Sequence, residues 1–116
     1  MSRMAYAATV VTAYTRSNPE PLVASAGERV TVGKRDDEYP GWIWCTDARG
    51  RSSWTPERIL QIEGAEAVVA EDYSALELTL APGEQVTVER EESGWAWVTT
   101  KSGERGWLPM GNLSRI

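Results

Sequence analysis

The residues with the greatest capacity for molecular recognition in this sequence are six tryptophans, which fall into two triplets of identical spacing. Trp42, Trp44 and Trp54 are each followed by another tryptophan 53 residues later. These partners are Trp95, Trp97 and Trp107. Rings of this size bury large apolar areas, either in a core or at the centre of a binding surface. The spacing indicates an internal duplication with similar contact residues in both copies.

Residues suited to catalysis are scarce. The chain has no histidine, so it lacks a histidine general base or metal ligand. Its single cysteine, Cys45, excludes an intramolecular disulfide and a multi-cysteine zinc site, and it fits a reducing, cytoplasmic location. We expect Cys45 to be a buried core thiol, because no histidine is present to activate it. The sequence predicts a protein that is not an enzyme and has no cofactor and no metal.

The charge of the chain is uneven. The net charge is −5, and residues 64–116 carry all of it, because acidic and basic residues balance over residues 1–63. This balance argues against a nucleic-acid partner, which requires a basic face, and permits a basic peptide. No stretch approaches the ~20 apolar residues of a membrane helix. The mildly apolar start is interpreted as a first strand rather than a signal peptide.

The repeat extends beyond the tryptophans. Upstream the offset becomes 56, where Gly27–Val32 matches Gly83–Val88, and then 59, where Tyr14 matches Tyr73. An offset that changes between blocks is typical of homologous strands joined by loops of variable length. We therefore predict two domains, at residues 6–62 and 65–116. The connection between them is short, so we expect the copies to pack together.

Strand signals dominate both copies and predict an all-β fold. In the first copy we predict strands at 8–11, 28–32, 42–45, 53–54 and 59–62, and in the second at 67–70, 84–88, 95–99, 106–108 and 113–116. Five short strands per copy indicate a small five-stranded barrel. The proline-led segments at 56–58 and 109–111 predict one short 3₁₀ turn before each last strand.

The alternation of side chains along a strand assigns the tryptophans to a face. Trp42 and Trp44 share one face of their strand, and Ile43 and Cys45 share the other. In the second copy, Ala96 and Val98 take the positions of Ile43 and Cys45. A small barrel has no room for two tryptophans per strand, so we expect the smaller residues inside and the tryptophans outside. Large exposed aromatic surfaces usually mark contact sites.

Each copy resembles an SH3 domain, and the resemblance covers nearly the whole chain. In the second copy, Val69–Tyr73 is similar to the ALYDY opening of that family, and Glu77–Val88 is similar to the segment that follows. Gly94-Trp95, with Gly106–Pro109, is similar to its closing motifs. Parts of the first copy, such as Glu38–Asp47, look more like SH3-like proteins of bacteria. The resemblance implies two tandem SH3-like barrels.

The resemblance also implies binding of a protein or peptide in an aromatic groove, with a proline-rich or basic ligand. The implied groove of the first domain consists of Tyr14, Trp42, Trp54 and Pro56. The implied groove of the second consists of Tyr73, Glu77, Trp95, Trp107 and Pro109. Trp44 and Trp97 are assigned either to packing between the copies or to an extended groove. Trp54 and Trp107 have a second interpretation, as plugs of the barrel edge.

Two other functions are left open. In a structural or scaffold subunit, the aromatic faces would bury each other or the face of a homodimer mate. An exported protein could instead bind cell-wall peptides.

Overall fold

The computed structural model describes residues 5–116 and divides the chain into two compact units that do not follow the two sequence copies. Unit 1 combines the N-terminal segment through Ser17 with Leu76–Ile116, and unit 2 is Asn18–Ala75. The predicted boundaries, 6–62 and 65–116, therefore differ from the observed division. The cause is an exchange of the first strands between the copies, which the pairing of the strands explains.

Unit 2 is built on a five-stranded antiparallel sheet in the order β5-β4-β3-β7-β6, with a separate two-stranded sheet of β2 and β8. Its elements are β2 Val23–Ala24, β3 Arg29–Arg35, β4 Trp42–Thr46, β5 Ser52–Pro56, the 3₁₀ turn Glu57–Ile59, β6 Leu60–Glu63, β7 Glu66–Val69 and β8 Tyr73–Ser74. Its buried apolar side chains include Leu22, Val30, Ile43, Cys45, Ile59, Ala67 and Val69.

Unit 1 has the corresponding sheet, in the order β11-β10-β9-β1-β12. Its elements are β1 Tyr6–Val10, β9 Gln85–Glu92, β10 Trp95–Thr100, β11 Arg105–Pro109, the 3₁₀ turn Met110–Asn112 and β12 Leu113–Arg115. Its core consists of Ala8, Val10, Leu78, Leu80, Val86, Val88, Ala96, Val98 and Leu108. The all-β prediction is confirmed, and in the described part of the chain no sheet closes on itself through its strands.

The exchange follows from the connection between the copies. β6 and β7 pair up to Glu63 opposite Glu66, so only Gly64 and Ala65 separate them. Gly64 has a φ of +66°, at the turn position where a type II′ hairpin takes glycine. A two-residue connection joins only antiparallel neighbours. The first strand of the second copy must therefore lie in the sheet of the first copy.

β1 then completes the sheet of the second copy. It lies between β9 and β12, with Val10 opposite Leu113 and Ala8 opposite Val86. β7 has the same place in unit 2, between β3 and β6. Because β1 and β7 have similar small and β-branched residues on their buried faces, either strand fits either sheet.

The segment Leu76–Leu80 contributes Leu78 and Leu80 to the core of unit 1 and pairs with two other parts of that unit. Tyr14 and Leu80 exchange two backbone hydrogen bonds, of 3.0 and 2.9 Å. At the other end, the N–H of Trp107 donates to the carbonyl of Leu76 at 2.9 Å, and the N–H of Leu78 donates to the carbonyl of Trp107 at 3.2 Å. The segment thus links the end of the β1 chain to β11.

The predicted elements agree closely with the observed ones. Each predicted strand is present, and both 3₁₀ turns directly precede the last strand of their copy. β3 and β9 extend further than predicted, to Arg35 and Glu92. The two-residue strands β2 and β8 were not predicted, because a strand of that length has no recognisable periodicity.

Candidate functional site

The tryptophans of each unit lie on the sheet face opposite its core, as the alternation predicts. Trp42 is opposite Pro56 and Trp44 is opposite Trp54 across β4 and β5. Across β10 and β11, Trp95 is opposite Pro109 and Trp97 is opposite Trp107. Ile43, Cys45, Ala96 and Val98 are buried inside their units. The predicted inner residues are therefore confirmed.

Exposure separates the two predicted grooves. In unit 2, Trp42 is only 4 % exposed, Tyr73 is 5 % exposed, and Pro56 is fully buried. In unit 1, Trp95 and Tyr14 are partly exposed, whereas Pro109 is buried. The expectation that Trp42 faces a groove as an exposed side chain is wrong, because the sheet face on which it lies is itself covered at this position.

The strand exchange also regroups the tyrosines. Tyr14 belongs to the first copy but lies in unit 1, where its ring meets Trp95 edge to face at 5.8 Å. Tyr73 belongs to the second copy but lies in unit 2, where its hydroxyl donates to the carbonyl of Trp54 at 2.8 Å. The predicted set of the first domain is thus divided, since Tyr14 is not in the unit that holds Trp42. Tyr73 likewise belongs to unit 2, whereas Trp95 belongs to unit 1.

Glu77 fixes the position of Tyr14. Its Oε1 accepts hydrogen bonds from the Tyr14 hydroxyl at 2.8 Å, from the Ser17 N–H at 2.8 Å and from the Ser17 hydroxyl at 2.9 Å. Its Oε2 accepts no hydrogen bond from residues 5–116. The carboxylate therefore joins the chain after β1 to the segment before β9, and keeps one oxygen for a further donor.

Each unit has a second aromatic contact, which lies two residues after Trp42 on β4 and two residues after Trp95 on β10. Trp44 and Trp54 meet edge to face at 5.1 Å, and Trp97 and Trp107 meet edge to face at 5.2 Å. Each pair lies within one unit and on neighbouring strands. Trp107 is only 2 % exposed, in accordance with an edge plug, whereas Trp54 remains partly exposed.

Arginine side chains cover the tryptophan pair of unit 1. The guanidinium of Arg90 lies over the Trp107 ring at 5.5 Å, and that of Arg105 lies over the Trp97 ring at 5.9 Å. Glu89 holds Arg105 through a 2.9 Å ion pair. Such cation–π contacts contribute about 0.5–1 kcal/mol each at exposed sites. These arginines were not predicted to belong to the site, although Arg105 replaces Ser52 in the aligned copies.

Because of the exchange, the unit that carries the net charge does not correspond to the sequence copy that carries it. Unit 1 contains six basic and six acidic residues, whereas unit 2 contains six basic and eleven acidic residues. The net charge of −5 therefore belongs to unit 2, and not to the second sequence copy. An electrostatic attraction for a basic partner is strongest at unit 2.

Asp47 organises the hairpin between β4 and β5. Its Oδ1 accepts the N–H groups of Arg49 and Arg51, both at 2.9 Å, and its Oδ2 pairs with the guanidinium of Arg49 at 3.2 Å. Burial raises the pKa of Asp47, but these hydrogen bonds outweigh it and hold the pKa below its ordinary value. The same guanidinium donates to the Val23 carbonyl, which ties the hairpin to β2.

Cys45 is fully buried, as predicted. Burial raises the pKa of its thiol by more than the hydrogen bond with Thr55 lowers it. A thiol that is buried and protonated is a poor nucleophile.

Comparison with known proteins gives no relative: no protein-family model, curated protein or solved structure matches the chain. Among residues 5–116, no group of three histidine, cysteine, aspartate or glutamate side chains is arranged to hold a metal ion. Over the same stretch, no helix has the length and apolar character needed to cross a membrane.

Proposed function

We propose that this chain is a non-catalytic peptide-binding protein built from two SH3-like small barrels, with its ligand surface in unit 1. The five-stranded antiparallel sheet of each unit supports this proposal, as does the 3₁₀ turn before each last strand. The pairing of Leu76–Leu80 with Tyr14 and with Trp107 also supports it, since this segment links the chain that follows β1 to the edge strand β11.

The observation that carries the proposal is the Tyr14–Trp95 pair with Glu77 beside it. The two rings meet at 83° and are partly exposed, and Pro109 lies opposite Trp95 on the neighbouring strand. Three segments that are distant in sequence thus supply one aromatic surface and one carboxylate. Tyr14 also packs against the core of unit 1, but its ring and that of Trp95 keep part of their surface exposed.

A proline-rich segment is the ligand that this surface fits best. Its polyproline II conformation exists before binding, so it loses little entropy when its rings pack against Tyr14 and Trp95. A lysine or arginine that flanks the prolines would pair with Oε2 of Glu77. The hydrogen bonds of Oε1 hold Tyr14 in place for the same ligand.

The burial of Trp42, Tyr73 and Pro56 favours a second function for unit 2, that of a scaffold. Side chains that are almost wholly buried stabilise the protein and do not meet a ligand without a rearrangement. In this alternative the aromatic residues of both units are structural, and the protein is a subunit of a larger assembly.

Titration of a library of proline-rich peptides, with and without flanking arginines, tests the proposal through tryptophan fluorescence. We expect Trp95→Ala to weaken binding by about 30-fold, the loss typical of a central aromatic anchor. Tyr14→Phe keeps the ring and loses its hydrogen bond to Glu77, and we expect a smaller loss. Glu77→Gln should remove the preference for basic peptides.

Trp97→Ala is the matched control, because Trp97 lies two residues away on the same face of the same strand. We expect it to bind as the wild type does. If no peptide changes the emission, while Trp42→Ala and Trp95→Ala both lower the stability or the oligomeric state, then the scaffold function replaces the binding function.

A further inference from the structure

The two tryptophan pairs differ in what covers them. In unit 1 the pair of Trp97 and Trp107 carries two arginines of the same chain, and Glu89 holds one of them in place. In unit 2 neither Trp44 nor Trp54 has a lysine or arginine stacked on its ring, among the residues that the structure describes. The duplication makes the two pairs directly comparable, since each tryptophan has its counterpart at an offset of 53.

The sequence explains this difference position by position. Ser52 stands where unit 1 has Arg105, and its hydroxyl is hydrogen bonded to that of Thr46 at 2.7 Å. Gly33 stands where unit 1 has Glu89, at an offset of 56. A side chain at Gly33 would begin 3.1 Å from the carbonyl of Trp44, so the backbone is too close to admit one easily. Both members of the covering ion pair are therefore replaced by small residues.

Lys34 takes the position of Arg90 but does not stack on Trp54. The side chain of Lys34 is exposed, although the pairing of β3 with β4 shifts between Val32 and Arg35 as the pairing of β9 with β10 shifts beside Arg90. The surface of Trp44 and Trp54, both partly exposed, thus lacks the cations that its counterpart has.

Charge favours a cation from another molecule at this surface. Unit 2 carries the whole net charge of −5. Its Asn18 donates through Nδ2 to the Ser52 carbonyl at 2.7 Å and to the Ser53 hydroxyl at 2.9 Å, which anchors the following chain at the edge of β5. Glu20 comes two residues later, is exposed and forms no ion pair within residues 5–116. Glu20 thus belongs to a segment that is anchored on both sides, through Asn18 and Leu22, at the edge of the strand that carries Trp54.

We propose that the Trp44–Trp54 surface binds an arginine of a basic segment in a partner protein. The guanidinium lies over the indole rings as Arg105 and Arg90 do in unit 1, and Glu20 pairs with the same or a neighbouring arginine. Arginine fits better than lysine because its planar group stacks on aromatic rings and is less strongly hydrated. The inference concerns unit 2 alone and does not rest on the Tyr14–Trp95 site.

The test is a titration of the full chain, labelled with ¹⁵N, that follows the indole N–H signals of the six tryptophans. The probe is a glycine- and serine-based peptide with three arginines and no proline. Two matched peptides carry citrulline, which is neutral, or lysine at the same positions. We expect the arginine peptide to shift the signals of Trp44 and Trp54, the lysine peptide to shift them less, and the citrulline peptide to leave them unchanged.

Variants separate stacking from general attraction. Ser52→Arg supplies the cation that unit 1 has, so we expect it to weaken binding of the arginine peptide at least about tenfold. Ser25→Arg, at an exposed position of unit 2, makes the same change in charge and should weaken it by less than about threefold. Arg105→Ser should uncover Trp97, so that its signal begins to respond to the peptide.

Several results would overturn the proposal. The first is an unchanged affinity in Ser52→Arg, and the second is an equal response to citrulline. A third is a shift of the Trp44 and Trp54 signals with protein concentration alone, which would make a second copy of this chain the occupant. Shifts confined to Trp95 would also overturn it and leave the function proposed for unit 1 intact, whereas failure of the proline-rich peptides leaves this test unaffected.

Discussion

The replacement Gly106→Ala tests how closely the Leu76–Leu80 segment lies against β11. A Cβ atom on Gly106 would begin 2.8 Å from Cγ of Leu78 and 2.9 Å from the carbonyl oxygen of Leu76. Neither atom can move easily, because Leu78 is buried in the core and the Leu76 carbonyl accepts the N–H of Trp107. The whole segment must therefore shift away from the strand.

The cost follows from what this shift disturbs. Overpacking of a well-packed site typically costs about 1–3 kcal/mol. Two backbone hydrogen bonds hold the segment to Trp107, and each contributes about 0.5–1.5 kcal/mol. The loss of glycine flexibility in the unfolded chain returns about 0.4–1 kcal/mol. We therefore expect Gly106→Ala to lower the free energy of unfolding of unit 1 by about 2–4 kcal/mol.

Chemical denaturation with two observables measures this change. Tryptophan fluorescence gives the overall transition, and the indole N–H signals of Trp95, Trp97 and Trp107 report unit 1 separately from unit 2. In a thermal experiment, a loss of this size lowers the melting temperature on the order of 10–30 °C for a domain of this length. The three tryptophans of unit 2 should change much less.

Gly111→Ala is the control for the loss of glycine itself. A Cβ atom at Gly111, in the 3₁₀ turn Met110–Asn112, meets no atom within 4 Å. We expect its stability to stay within about 0.5 kcal/mol of the wild type. If Gly106→Ala proves as stable as Gly111→Ala, the close approach of the segment to β11 is not a constraint, and this reasoning is refuted.

Three further predictions concern unit 2. Ser53→Ala, at the position equivalent to Gly106, removes the acceptor of the buried Leu22 N–H and should cost about 1–3 kcal/mol in urea denaturation; an unchanged midpoint would contradict this. Asp47→Asn should destabilise the protein most near neutral pH. Because the folded pKa of Asp47 is lowered, its contribution is present above the unfolded value of about 3.9 and is lost as the pH falls through the folded pKa, so the difference between the thermal melts of variant and wild type should begin to shrink below about pH 4. A fragment of residues 18–75 should melt cooperatively, whereas residues 18–62 should not, because only the longer fragment contains β7, which pairs with both β3 and β6; equal behaviour of the two would exclude the observed pairing.

Much of the fold could be predicted from local patterns. Strand alternation alone assigned Ile43 and Cys45 to the inside and Trp44 to the outside, because the side chains of a strand alternate between its faces. The proline before each last strand marked the 3₁₀ turns. The burial of Trp42 could not be predicted in the same way, because it depends on what covers the sheet face.

The sequence predicted the individual residues of the candidate site but not their grouping. Tyr14, Trp95 and Glu77 were all identified, but Tyr14 was assigned to a different groove from the other two. The signal that would have corrected this was the shortness of the connection at Gly64 and Ala65, which forces β7 to follow β6 in one sheet.

The sequence by itself determined that the protein is duplicated, that its elements are strands, and which residues of each strand face the core. These properties depend on spacing and alternation within short segments. Only the tertiary structure decided which copy supplies the first strand of each sheet, and with it the grouping of the tyrosines and the unit that carries the charge. The physical reason is that β1 and β7 are similar enough to fit either sheet, so their own residues do not choose between the partners. The two-residue turn between the copies makes this choice, because it holds β7 beside β6.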